Sequence, residues 1–376
     1  MRSLKSIQVS LPALFGVLGL FHLGSAHAQV GRTDDAATPS SYSNMQGPWD
    51  GKALEQNVAQ WNTIVQNRPD DVAALYSLFQ SERQTALAEG NGRLNSAAKS
   101  KLEARAKDIE QRAPGSWGAS LANYYLQFPA ETAFRALGEA EAIAPDSPEL
   151  IAPRMSKALR DGDQVALEKA AADLYERGQV APGLWQVAED VLSSLEQDAV
   201  VLLAGEMDAY PLITLQQRTG ARPDVLAVDV RAMEDAAYRQ RVWTAANGAG
   251  PAPAAGPGWA GALAKKGHRP VYLGLSLDRT WIDPLREELV LTGLAFRIGN
   301  DPVPPEVLGQ VWNAMHRTPE AGPLSWNYLL PGSVLLRHYR AMEDEGRAAF
   351  TEQELRRIAG RVGATNTLYQ LGVLEH

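Results

Sequence analysis

Between residues 48 and 197 apolar positions recur every three or four residues. Leu54, Val58, Trp61 and Val65 make one such row, Leu102, Ala106 and Ile109 a second, and Leu167, Ala170, Ala171 and Leu174 a third. That spacing lays one apolar stripe along each helix. The remaining positions are rich in Ala, Leu, Glu, Gln and Arg, which favour helix. Four proline turns punctuate the pattern: Arg68-Pro69-Asp70-Asp71, Ala113-Pro114-Gly115-Ser116, Ala144-Pro145-Asp146-Ser147 and Ala181-Pro182-Gly183-Leu184. Pro114, Pro145 and Pro182 are spaced by 31 and 37 residues. Their mean matches the period of about 34 residues of a tetratricopeptide-type helical hairpin. The sequence therefore predicts a TPR-like helical repeat domain over 48–197, whose hairpins bury their apolar faces only against each other. Such a stack serves either as a groove for a peptide or partner helix, or as a spacer.

After residue 198 the period changes. Asp198-AVVLLAG-Glu206, Asp224-VLAVDV-Arg231, Arg269-PVYLGLS-Leu277 and Leu294-AFRI-Gly299 are short continuous apolar runs, the mark of buried strands. Helical patterns over 210–218, 233–246 and 282–291 alternate with them. Residues 247–258, with four Gly, three Pro and four Ala, read as a loop. This alternation predicts an α/β domain over 198–300 with a small parallel or mixed sheet. Residues 301–376 return to helix, near 304–316, 325–345 and 351–361. The fold class is thus α/β plus all-α: TPR-like hairpins, then a small sheet domain, then C-terminal helices.

The N-terminus adds an address. Arg2 and Lys5 precede an apolar run from Leu11 to Leu23, and Ala26-His27-Ala28 closes it with small residues. Residues 1–28 read as a secretory signal peptide and 29–47 as a flexible polar leader. The expected location is periplasmic or secreted, with no membrane span after cleavage. Among 376 residues there is no cysteine, which excludes disulfides, thiol nucleophiles and iron–sulfur ligation. A formal net charge of −8 argues against nucleic acid as a partner.

The stretch Gly205-Glu-Met-Asp208-Ala-Tyr210-Pro211, continuing to Gly220-Ala-Arg222-Pro-Asp224-Val225, resembles a strand–loop–helix–strand block. Similar blocks occur in the soluble C-terminal part of bacterial protein O-mannosyltransferase-like membrane proteins, whose loop runs Gly-Asp-Asn-Asp-Thr-Tyr/Phe-Pro. Arg269-Pro270-Val271-Tyr272-Leu273, Gly293-Leu294-Ala295-Phe296-Arg297 and Asn327-Tyr328 resemble further pieces of that family in the same order. The likeness covers about 198–345. It implies an accessory domain related to that family and not a transferase, since the multi-pass membrane part is not in this chain. Glu206, Met207 and Ala209 depart from the family's loop.

The candidate ligand-binding residues are Glu206, Asp208, Tyr210, Asp229 and Arg231. They follow the first and second strands, where open α/β sheets bind ligands. The acids suit sugar hydroxyls or a hard cation, Tyr210 a ring face; equally, an Asp before a helix suits an N-cap. Trp259 and Trp281 are candidates for a saccharide platform, with core packing as the alternative. The chain has no G-x-G-x-x-G, Walker, H-E-x-x-H or G-x-S-x-G motif, and no histidine pair at ligand spacing. No catalytic residue, cofactor or metal is therefore expected. Two function classes follow: a non-catalytic binding or scaffold protein of the cell envelope whose partner is an envelope protein or glycan, which is preferred, and a carbohydrate-active envelope enzyme using carboxylates near Glu206, Asp208 and Asp229.

Overall fold

The computed structural model describes residues 44–90 and 93–375. The expected signal peptide and the leader up to residue 43 lie outside the described residues. The chain divides into two compact units, whose described parts are residues 44–179 and 180–375.

The first unit is helical. Its helices are α1 (Gly51–Asn67), α2 (Val72–Glu89), α3 (Ser96–Arg112), α4 (Trp117–Gln127), α5 (Glu131–Ile143), α6 (Ile151–Asp161) and α7 (Gln164–Glu176). The proline turns end three of them in one way. Arg68, Ala113 and Ala144 share φ near −135° and ψ of 64–74°. A residue before proline is driven out of the helical region, so the helix stops there. The carbonyls of these three residues then accept from the N–H groups of Asp71, Ser116 and Ser147. Asp71 and Ser116 go on to cap the following helix with their side chains. Helices α1 and α2, α4 and α5, and α6 and α7 pack as consecutive hairpins. Trp61, Leu75, Phe79, Leu102, Ile109, Leu121, Tyr124, Phe134 and Leu137 fill the core. At the α2–α4 crossing Gly118 is required, because a Cβ there would stand 2.9 Å from Val72 Cγ1. Among the helices the buried Glu82 is gripped by the half-buried Arg105 through Nε and Nη2, both at 3.0 Å.

The second unit opens with α8 (Pro182–Ser193) and a five-stranded mixed sheet. The strands are β1 (Val200–Leu203), β2 (Leu226–Asp229), β3 (Val271–Gly274), β4 (Leu289–Leu291) and β5 (Ala295–Ile298), in spatial order β2-β1-β3-β5-β4. β1 pairs in parallel with both β2 and β3, while β5 is antiparallel to β3 and β4. Helix α9 (Ala209–Thr219) connects β1 to β2, ending at Gly220 in the left-handed region. Helices α10 (Ala236–Ala245) and α11 (Pro257–Ala264) connect β2 to β3. The expected helix over 282–291 is corrected. A short α12 (Arg279–Ile282) and a 3-10 turn (Asp283–Glu288) stop at Leu289, and Leu289–Leu291 is β4. The hairpin partner β5 claims those apolar residues for the sheet. Helix α11, which begins at Pro257 in the last two residues of the expected loop over 247–258, has no counterpart in the sequence reading. The chain ends with α13 (Pro305–Ala314), α14 (Leu329–Ala341), α15 (Glu345–Val362) and α16 (Thr365–Gln370). Among the described residues no helix is long and apolar enough to cross a membrane.

Helix α8 belongs with the sheet although its composition continues the helical half. Asp190, 2% exposed, accepts from the His316 N–H, His316 Nδ1 and the Tyr328 hydroxyl. Arg222 donates to the carbonyl of Leu192 in the last turn of α8 and to those of Leu195 and Glu196 just beyond it. Arg269 does the same for the strands, donating to the carbonyls of Asp198, Ala199, Asp224 and Ala245.

Arg269→Met keeps the aliphatic stem and removes four charge-assisted bonds to backbone carbonyls. Each such bond contributes roughly 1.5–3 kcal/mol and their losses are not additive. The expected outcome is a loss of at least about 2 kcal/mol, read from urea unfolding followed by tryptophan fluorescence. Asp224 is held well below the usual carboxylate range, chiefly by its hydrogen bond with Arg222. A lowered carboxylate stabilises the fold above its unfolded value and loses that contribution as pH falls. Asp224→Asn should therefore flatten the fall in stability below about pH 4, the unfolded aspartate range.

Candidate functional site

β1 and β3 lie side by side, yet the chain leaves their carboxyl ends in opposite directions, toward β2 and toward β5. This is the switch point at which open α/β sheets form a crevice. The segment after β1 enters it with a sharp turn at Gly205, φ +109°. Only glycine adopts that conformation readily.

Asp208 occupies the N-cap position of α9 but does not cap it; its φ and ψ are already helical. Its side chain turns back to the strand ends. Oδ2 accepts from the Ala204 N–H at 3.0 Å and from the Ser276 hydroxyl just past β3. Oδ1 is buried and has no hydrogen-bond partner among the described residues. A Cβ on Gly205 would lie 3.9 Å from it. Burial pushes the Asp208 carboxyl above its ordinary value, against the Ser276 and Ala204 hydrogen bonds that lower it, and the charge of Asp229 adds to the rise.

Asp229 ends β2 and is 1% exposed. Its carboxylate accepts from the Arg231 backbone N–H, from Nε at 3.1 Å and from Nη2 at 2.8 Å. It thereby caps the 3-10 turn Val230–Glu234 and takes a two-pronged guanidinium grip. The Asp229 N–H donates to the Tyr238 hydroxyl at 3.0 Å. Burial is the largest single influence and would lower the Arg231 pKa, but the charge and hydrogen bond of Asp229 together with Tyr210 and Glu206 outweigh it, and the guanidinium titrates well above its ordinary value. Arg231 lies 5.3 Å from the Tyr210 ring centre. Tyr210 is 1% exposed, so its ring is packed inside and is not presented for stacking on a ligand. Glu206 is also buried, near enough to Arg231 for its charge to be felt.

All five sequence-derived candidates thus lie along one edge, the carboxyl ends of β1 and β2. Sequence reading missed Ser276, the group from β3 that closes the set, and Tyr238; the strand-end rule applied to Leu275-Ser276 would have found the serine. The tryptophan platform is corrected. Trp259 is fully buried against Trp243, ring centres 5.4 Å apart, and Trp281 is 9% exposed. Burial of the large apolar ring decides this. Among the described residues no group of three or more His, Asp or Glu side chains could hold a metal ion. No family model, curated protein or solved structure matches this chain.

An acid whose pKa is raised by folding costs stability as pH rises from its unfolded value to its folded one. Asp208→Asn removes that cost. The variant should gain stability over the parent at pH 7, with the difference shrinking toward pH 4, as measured by thermal unfolding across that range.

Proposed function

We propose that this chain is an exported binding protein of the bacterial cell envelope that works by contact and performs no chemistry of its own. In this reading the hairpins of residues 44–179 form a TPR-like surface for an envelope protein. The carboxyl edge of the sheet takes hydroxyl groups of a glycan. The observation that carries the reading is the condition of the acids. Asp229 has both oxygens inside the grip of Arg231. Asp208 is a buried carboxyl whose pKa burial raises, with one oxygen unpartnered among the described residues. A glycosidase needs a second carboxylate free to attack or to activate water. A carboxyl oxygen left without a donor can accept from a sugar hydroxyl. The likeness of residues 198–345 to the accessory part of O-mannosyltransferase-like proteins supports a saccharide or a glycosylated protein as the partner.

One observation favours the second class. A carboxyl raised by burial beside another acid is the property of a general acid, so an envelope glycosidase using Asp208, with Glu206 or Asp229, is the competing reading.

One experiment separates them. The purified chain is titrated with mannotriose by calorimetry and, in parallel, incubated with nitrophenyl glycosides. Saturable binding weakened about tenfold by Glu206→Ala/Asp208→Ala, the loss of one or two buried hydrogen bonds, with no glycoside turnover, is expected. Turnover abolished by Asp208→Asn would establish the enzyme instead. Unchanged binding in the double variant would remove the sheet edge from the function.

A further inference from the structure

A cavity of about 340 Å³ opens in the C-terminal helices, away from the strand ends. Its wall includes Asn313 near the end of α13, Arg317, Tyr339 of α14, and Arg347 and Phe350 in the first turns of α15. Arg317 sits at φ +52°, a left-handed position that costs a non-glycine residue energy and that clusters at functional sites. Its guanidinium lies 5.7 Å from both the Trp312 and Phe350 ring centres. The Arg347 guanidinium lies 4.8 Å from the Tyr339 ring centre. Aromatic faces under both cations fix their planes. Phe350 is 46% exposed, a large apolar ring left open to solvent beside them.

Two acids beside the cavity are engaged by these arginines, which keep further donors. Both Glu354 oxygens are engaged, by Arg317 Nε and by Arg357. The Asp344 oxygens accept from the Arg347 backbone N–H and Nε. Arg317 spends Nη1 on the Trp312 carbonyl and has no partner for Nη2 among the described residues. Arg347 also bonds to the Tyr339 hydroxyl, and beyond that its Nη groups have no carboxylate or carbonyl partner among the described residues. The cavity wall therefore carries surplus donors on two positive charges and an exposed phenyl ring. Spare guanidinium donors match a carboxylate, and an open phenyl face matches a second flat ring. The volume is at the small end of ligand sites, room for one ring.

We propose that this cavity is a ligand site for a small aromatic carboxylate, with Arg317 and Arg347 binding the carboxylate and Phe350 stacking on the ring. The probe is 4-fluorobenzoate, followed by fluorine NMR with the full chain; 4-fluorobenzamide has nearly the same shape and no charge. So small a ligand binds weakly, with a dissociation constant on the order of 1–10 mM. The expected result is saturable binding of the benzoate and none of the amide. Arg347→Gln and Phe350→Ala, both at exposed positions and checked for folding by circular dichroism, should each weaken binding about fivefold, the loss of one ionic or one stacking contact. Equal binding of the amide, unchanged affinity in both variants, or no saturation of the parent at about 20 mM would overturn the proposal.

Discussion

Strands of three or four residues carry too few ladder hydrogen bonds to hold a sheet by themselves, and the amino edge of this sheet depends on two arginines. Arg269 donates to carbonyls that precede β1 and β2 and to one that ends α10. Arg222 donates to one carbonyl in the last turn of α8 and two just after it, and forks onto Asp224. A guanidinium offers five donors in a rigid plane, so one side chain can satisfy several chain ends that would otherwise stay unpaired. The strands start where these arginines hold them. The register that follows sets where Asp208, Asp229 and Ser276 arrive at the other edge.

The two edges are built differently for that reason. At the amino edge Arg222 and Arg269 donate to backbone carbonyls, and Asp224 accepts from Arg222 and from the Asp198 N–H. At the carboxyl edge Asp229 and Arg231 satisfy one another, while Asp208 is shared between two strands through Ala204 and Ser276 and keeps one oxygen unpaired among the described residues. A buried carboxyl oxygen without a donor is costly to leave so. Its position at the switch point, not the number of acids, distinguishes that edge. Arg222, Asp224 and Arg269 hold the amino edge together, and the Gly205–Tyr210 loop lies at the crevice.

Much of this was legible along the chain. The proline turns after α1, α3 and α5 are local events: the residue before proline cannot continue the helix, and the Asp or Ser two residues after the proline restarts it. The parallel strands are continuous apolar runs, and their neighbours bury them on both faces. The misses share one cause. Leu289–Leu291 has no strand pattern of its own and became β4 because β5 turned back beside it. Trp259 looked like a loop-side platform until α11 carried it against Trp243. Asp190 and His316 are 126 residues apart, and no local spacing announces their bond.

The sequence by itself determined where the proline-turn helices end, where the strands β1, β2, β3 and β5 lie and which strand ends carry acids, because proline geometry, apolar periodicity and glycine turns act over a few neighbouring residues. Only the tertiary structure decided what those acids are. It gave Asp229 to Arg231 and turned Asp208 away from its helix toward Ser276. It also drew α8 into the sheet unit through Asp190. Burial and long-range hydrogen bonding set protonation and partnership, and both depend on residues that the chain brings together only when folded.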